Sequence, residues 1–392
     1  MHRCTGGWQM KIRTDASLLG LNFLCLWGIT LTQALGKPGL ASLMFTCTFP
    51  FTLALWLVRT EQAMEEENCL TVAIFWLSAV SVCLNALMSG TVVTFSYLKK
   101  LILFWCTVAM LVAVSRYRPG KREVGFLLAG NTVISCLLCL FYLLRRQEMF
   151  LLNGMVTGYL TFRFTNPNLA ALFLAAMAMI QFARPEMGRK WVFHRMLGAI
   201  LTFFVYKTQS RNAMLILLCF LLLSLLSRRK QVIGKKAAAL LSLLPLVFAA
   251  AYLLLVSAPW VQQRFSFLAG EGKGLDSRVE VWRFAVDAFL TRPITGAYSQ
   301  ISFGTGASQM HNTHLDLLAS YGIGVFLLVW RLLYLLLYRE GEGRTAAKFR
   351  LALLCLFLSG IGEASLFSGG MGISLYAGML GLLANFDYGE TL

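Results

Sequence analysis

Residues 237–257 read AAALLSLLPLVFAAAYLLLVS, with Lys235 and Lys236 just before them and a long polar stretch just after. An uncharged run of this length crosses the roughly 30 Å hydrocarbon core of a bilayer as a helix. Similar runs recur near 17–35, 39–58, 69–90, 98–115, 124–143, 167–183, 195–210, 212–227, 315–337, 349–367 and 371–386. The chain is 58% hydrophobic and 14% charged, and these runs are continuously apolar where the strands of a barrel would alternate. The expected fold is therefore all-α, a polytopic integral membrane protein with about twelve transmembrane helices. It reads as a single membrane domain over 1–392, with a large extracytoplasmic loop at 258–314 forming an outward-facing helical cap between spans 9 and 10.

Orientation follows from the Lys/Arg bias of the connections. Arg116, Arg118, Lys121 and Arg122 fall in one connection, Arg184, Arg189 and Lys190 in a second, and Arg228, Arg229, Lys230, Lys235 and Lys236 in a third; all three are assigned to the cytoplasm. With an even number of spans, Lys11 and Arg13 keep the N-terminus inside, the C-terminus follows, and 258–314 faces outward. Lys99 and Lys100 on the outer side run against this pattern, and the Glu65-Glu66-Glu67 loop has only Arg59 to hold it in. Most of the formal net charge of +17 sits in short inner loops, where basic residues set topology, so the expected contact is the lipid bilayer and no nucleic acid. The first run has spanning length and lacks a small-residue cleavage pattern, which suits a signal anchor.

Several chemistries are disfavoured by what the sequence lacks. The cysteines lie in or beside spans or near the inner face and none falls in the outer insertion, and Cys136-x-x-Cys139 reads as small apolar packing, so no disulfide framework or metal site is indicated. Gly270-Glu271-Gly272-Lys273-Gly274 lacks the strand-then-helix context of a phosphate loop. Asp15, Asp276, Asp287, Asp316 and Asp387 never form D-x-D, the spacing that suits a divalent metal on a sugar nucleotide.

Three polar interruptions remain besides the insertion. Arg163-Phe164-Thr165-Asn166-Pro167-Asn168 precedes the sixth span; Asn-Pro is a helix-start signal, while Arg163 adds a charge that can snorkel to the interface or reach a phosphate. Thr208-Gln209-Ser210-Arg211-Asn212 divides two short runs, so this turn dips below the outer surface. An arginine toward the membrane centre costs roughly 2.5–3.5 kcal/mol on insertion scales and is tolerated where it faces a cavity or a partner. Glu363, in Gly360-Ile361-Gly362-Glu363-Ala364, is a second intramembrane charge, functional or ion-paired with one of these arginines.

Asn166-Pro167-Asn168 opening a span, Thr208-x-Ser210-Arg211 between two short spans, Ser277-Arg278-x-x-x-Trp282 starting the insertion, and His311-Asn312-x-x-Leu315 followed by Gly322-Ile323 resemble, in order and spacing, the O-antigen ligase and polymerase superfamily. The resemblance covers roughly 163–325. It implies a metal-independent membrane glycosyltransferase without a cofactor, at the outer face of the bacterial inner (plasma) membrane. Such an enzyme moves an oligosaccharide or polysaccharide from an undecaprenyl-pyrophosphate carrier to a hydroxyl of a glycan or lipid acceptor. Arg211 and Arg278 match positions held to bind the donor pyrophosphate, and His311 the one held to serve in catalysis. Arg163, Asn168, Ser210, Asn312, His314 and Trp282 are carried as substrate-binding candidates.

The residue chemistry agrees with that implication. A departing pyrophosphate gathers negative charge, and guanidiniums meet it with planar, always-protonated donors. Imidazole titrates nearest the working pH, and of the four histidines His2 is terminal and His194 is expected in a cytoplasmic loop, leaving His311 and His314. Asp316 and Glu280 are candidates to orient the imidazole. Trp282, Phe265, Phe267 and Tyr298 can stack on sugars or anchor the cap at the lipid interface. Val281, Phe284, Ala285 and Ala288 form one apolar stripe, which predicts a helix within the insertion. The alternative from another class is a lipid-linked glycan flippase or small-anion transporter, which calls for charges spread through the spans to line a pathway.

Overall fold

The computed structural model describes residues 5–60, 66–90, 93, 95–152, 155–164, 166–185, 188–226, 234–257, 276–297, 310–338, 343–363, 366–367 and 372–388. Cys4, Glu65, Thr165, Arg228–Lys230, Phe265, Phe267, the 270–274 segment and Tyr298 lie outside them. The helices are α1 (Thr5–Ala34), α2 (Pro38–Thr60), α3 (Glu66–Ser89), α4 (Phe95–Arg116), α5 (Lys121–Leu144), α6 (Pro167–Ala183) and α7 (Gly188–Lys207). They continue as α8 (Arg211–Leu226), α9 (Lys235–Ser257), α10 (Asp276–Thr291), α11 (Thr313–Leu337), α12 (Arg344–Leu358) and α13 (Ile373–Ala384). Among the described residues the extended structure is a two-residue pairing of Leu151–Leu152 (β1) with Met155–Val156 (β2).

Each of the twelve expected spans contains a helix, and α10 is the helix expected inside the insertion. Among the described residues six helical segments are long and apolar enough to cross a membrane: Ser17–Ala34, Pro38–Leu57, Glu66–Ser89, Lys121–Leu144, Lys236–Leu255 and Thr313–Leu337. Large apolar side chains such as Trp76, Leu87, Leu143, Leu225 and Leu254 stand exposed on the outer faces of the helices, as lipid contact requires.

The short helices matter most for the site. α6 has 17 residues, α8 16 and α12 15, so at 1.5 Å per residue they reach about 22–26 Å and end short of a full crossing. Irregular backbone at membrane depth is tolerated where it is buried in protein or lines a cavity. The turns that start α6 and α8 and the segment that ends α12 are the irregular backbone adjoining these short helices. α6 itself is buried from Leu169 to Ile180 on every face, the signature of a helix surrounded by other helices.

Two departures from the sequence reading have local causes. α7 begins at Gly188, seven residues before the expected span, and so takes in His194, which is buried with Nδ1 2.8 Å from Gln181 Oε1. His194 therefore belongs to a helix and not to a loop. α12 stops at Leu358 and passes through a 3-10 turn, Ser359–Ile361, where the expectation ran on to 367. Gly360 and Gly362 in this stretch lower the local helix propensity and release the chain.

α11 is interrupted at Gly322, with φ 82° and ψ −179°. A Cβ there would collide with the carbonyl of Ile294, and the broken helix receives the 293–297 strap that follows α10. Ile323 N–H donates to Pro293 O at 2.8 Å, Ala297 N–H to Ala319 O at 2.6 Å, and Ser81 and Asn85 of α3 donate to the carbonyls of Thr295 and Gly296. Gly322 is thus the position that lets the insertion dock onto the bundle.

Candidate functional site

Four of the sequence motifs open helices, and three of the openings show local determinants. Asn166 caps α6, its side chain accepting from Asn168 N–H with Pro167 in the first turn. Between α7 and α8 the backbone turns through Gln209 at φ 58°, with Thr208 Oγ1 donating to Val205 O (2.7 Å) and accepting from Ser210 N–H (3.3 Å). Asn312 caps α11, its Oδ1 accepting from His314 and Leu315 N–H, both at 3.0 Å. Arg278 occupies the first turn of α10, one turn before Trp282.

The opening of α8 and the second turn of α10 meet at a cavity of about 190 Å³. Arg211 and Asn212 from the start of α8, Leu215 one turn on, Phe248 and Tyr252 of α9, Trp282 of α10, and Ile361 and Gly362 line it. Arg211 is exposed. Trp282 is buried, donates its indole N–H to Met310 O at 3.0 Å, and stands edge-on to Phe248 and Tyr252. Interface anchoring is therefore not its role; it forms the cavity wall and ties α10 to the segment carrying His311.

Behind that wall lies Glu363, the residue after Gly362. Its carboxylate is 2% exposed; Oε1 accepts from Asn168 Nδ2 at 2.8 Å and Oε2 lies 3.4 Å from His311 Nδ1. Its carbonyl accepts from Thr313 Oγ1 at 3.2 Å, and its N–H donates to Ser359 O at 3.1 Å. The side chain of His311 is 33% exposed, and its backbone holds φ 51°, an uncommon value for a residue with a Cβ and one that histidine tolerates better than most. Phe162, Arg163, Gln209 and His311 are the non-glycine residues at positive φ among those described, and they cluster at the motifs. Such clustering is a recurrent property of functional sites.

α9 supplies the support. Pro245 lacks an N–H and interrupts the helical ladder, and near that break Pro245 O accepts from Asn312 Nδ2 (2.9 Å) while Ser242 O lies 2.7 Å from His314 Nε2. Asn312 also reaches Ile361 O at 3.3 Å, and Asn212 Nδ2 donates to Ser359 O at 2.7 Å. The two amides pin the 359–363 segment between α8 and α11.

The structure thus gathers Arg211 and Trp282 at the cavity, and Asn168 and His311 at Glu363, with Asn312 bracing the wall. Arg163 lies apart, its guanidinium 2.6 Å from Glu148 Oε2. Ser210 is buried, with its carbonyl accepting the first bond of α8 from Met214 N–H. His314 is 3% exposed, packed against Phe326, and faces α9. The carboxylate that meets His311 is Glu363, where Asp316 and Glu280 were expected. Phe248, Tyr252 and Pro245 escaped the sequence reading; a proline and a tyrosine inside an otherwise aliphatic run were the available signals. Among the described residues no three His, Cys, Asp or Glu side chains gather closely enough to hold a metal ion.

Residues 196–330 match the family model described as O-antigen ligase. The match bears out the resemblance to the O-antigen ligase and polymerase superfamily over about a third of the chain, and it contains the Thr208–Arg211, Ser277–Trp282, His311–Leu315 and Gly322–Ile323 motifs. Asn168 and Glu363, which complete the buried side of the site, lie outside the O-antigen ligase match. No curated protein matches the chain. The match and the apolar helices together support a multi-pass membrane protein similar to membrane glycan ligases and polymerases, a family whose substrates are lipid-linked glycans.

Proposed function

We propose that the protein is a metal-independent glycosyltransferase that moves glycan from undecaprenyl pyrophosphate to an acceptor hydroxyl at the outer face of the bacterial inner membrane. The observation that carries this reading is the exposed Arg211 lining an aromatic-walled cavity whose Trp282 is hydrogen-bonded to Met310, the residue before His311. In it, twelve segments span the bilayer, those of the short helices α6, α8 and α12 completed by irregular backbone, both termini are cytoplasmic, and α10 belongs to an outer cap over the cavity.

The chemistry follows from the groups. A lone pair on the acceptor oxygen attacks the anomeric carbon as His311 takes the hydroxyl proton. The bond from that carbon to the pyrophosphate oxygen breaks, and its electron pair leaves with the carrier. Arg211 and Arg278, each in the first turn of its helix, meet the leaving charge together with the positive helix ends. At about 4 Å and an effective dielectric near 20, each such charge pair is worth on the order of 4 kcal/mol before desolvation is subtracted. Leu215, Phe248 and Tyr252 suit the apolar start of an isoprenoid chain.

The test is transfer by the purified protein, with the lipid-linked glycan that accumulates in cells lacking the gene as donor. Release of undecaprenyl pyrophosphate with glycan on the acceptor, undiminished by EDTA, is the expected result; abolition by chelator with rescue by magnesium or manganese would overturn it. The accumulated lipid separates the two activities: single repeat units indicate a polymerase, long chains a ligase. A cysteine at Gly272 should label from outside intact inner membranes.

A further inference from the structure

We infer that Glu363 is a positioning residue for His311, and that Asn168 positions Glu363 in turn. The inference rests on the reading of His311 as the base. The contact joins two side chains 52 positions apart and draws on residues outside the matched ligase region.

Three observations carry it. A carboxylate only accepts hydrogen bonds, so Glu363 Oε2 facing His311 Nδ1 selects the tautomer with its proton on Nδ1. That leaves the Nε2 lone pair as the basic site. The burial order, 2% exposed for Glu363 and 33% for His311, puts the carboxylate behind and the imidazole in front, so a substrate meets the histidine first. The carboxylate is itself held: Asn168 occupies its other oxygen at 2.8 Å from the first turn of α6, and its backbone is fixed by Ser359 and Thr313. The 3.4 Å separation is loose for a hydrogen bond, and contacts of this kind tighten when substrate closes the site. As the acceptor proton reaches Nε2, the imidazolium that forms is met at Nδ1 by the buried carboxylate.

Glu363→Gln keeps the shape and removes the charge. It should lower kcat at least about 10-fold while KM for the lipid-linked donor stays within about 3-fold, since the carboxylate acts through the histidine. Glu363→Asp should recover part of the loss, and Asn168→Ala should give a smaller loss in the same direction. In a His311→Ala background, Glu363→Gln should add nothing further, because the two act as a unit. Thermal unfolding in detergent separates these effects from misfolding.

A readout independent of turnover comes from nitrogen NMR of histidine-labelled protein, in which four histidines give few signals. The signal missing from His311→Ala should report an Nδ1-protonated ring in the wild type and lose that preference in Glu363→Gln. Wild-type turnover in a folded Glu363→Gln, additive losses in the double variant, or an Nε2-protonated wild-type ring would each overturn the inference. Wild-type turnover in His311→Ala would instead remove the base assignment, leaving the tautomer measurement to judge the pair.

Discussion

Two arginine-lined cavities, near opposite ends of α11, differ in how the arginine is used. Beside Arg211 the cavity is about 190 Å³; the other, about 230 Å³, is lined by Arg350 with Glu67, Tyr338, Asn385 and several leucines. Arg350 is 6% exposed and donates to Leu336 O at 2.7 Å, one of the last carbonyls of α11, which have no partner within the helix. A cation there also meets the negative end of the helix. Its presence is fully explained by folding. Arg211 stands at the opposite kind of place, the first residue of α8, where the helix end is already positive and an additional cation is unfavourable without an anion. It is exposed, and no hydrogen bond joins its guanidinium to the described residues. An arginine that folding does not explain is the one to test for binding.

The sharpest way to break this contrast is at the cavity beside Arg211. His311→Ala should lower turnover by about 10²–10⁴-fold, the usual contribution of a positioned base, while donor affinity persists. If affinity collapsed and turnover at saturation did not, His311 would be a phosphate ligand. Next in size, Arg211→Lys should cost about 10–150-fold in kcat/KM despite keeping the charge, because the planar fork is lost; near wild-type rates would dissolve the pyrophosphate clamp.

At the other end the expected effects are on stability. Arg350→Met leaves Leu336 O buried without its donor and should destabilise by about 1–3 kcal/mol, read as a lower unfolding temperature, with turnover per folded molecule unchanged. A turnover defect in stable protein would erase the distinction between the two arginines. The smallest catalytic effect is expected from His314→Ala, which removes a buried contact to α9 and should act through a stability loss of about 0.5–3 kcal/mol. A loss of turnover equal to that of His311→Ala would return His314 to the site.

The sequence by itself determined the class and much of the site's cast. Continuous apolar runs admit only helices in lipid, since each backbone polar group must be satisfied within its own segment. Asn166-Pro167 and Asn312 announce helix starts through capping chemistry that needs only neighbouring residues, and the polar residues of Thr208–Arg211 announce a turn between two apolar runs. What the tertiary structure alone decided is who faces whom. The resemblance put His311 ahead of His314, three residues on, and the structure adds the reason: one sits at positive φ before the Asn312 cap, toward Glu363, and the other enters the helix and turns to Ser242. Glu363 could be flagged as a charge in an apolar setting, but its partners come from α6 and the start of α11, nearly 200 and about 50 residues away. Capping, propensity and apolar periodicity act over a turn or two of chain, whereas the pairing of buried polar groups is set by how helices pack, and one sequence does not display that packing.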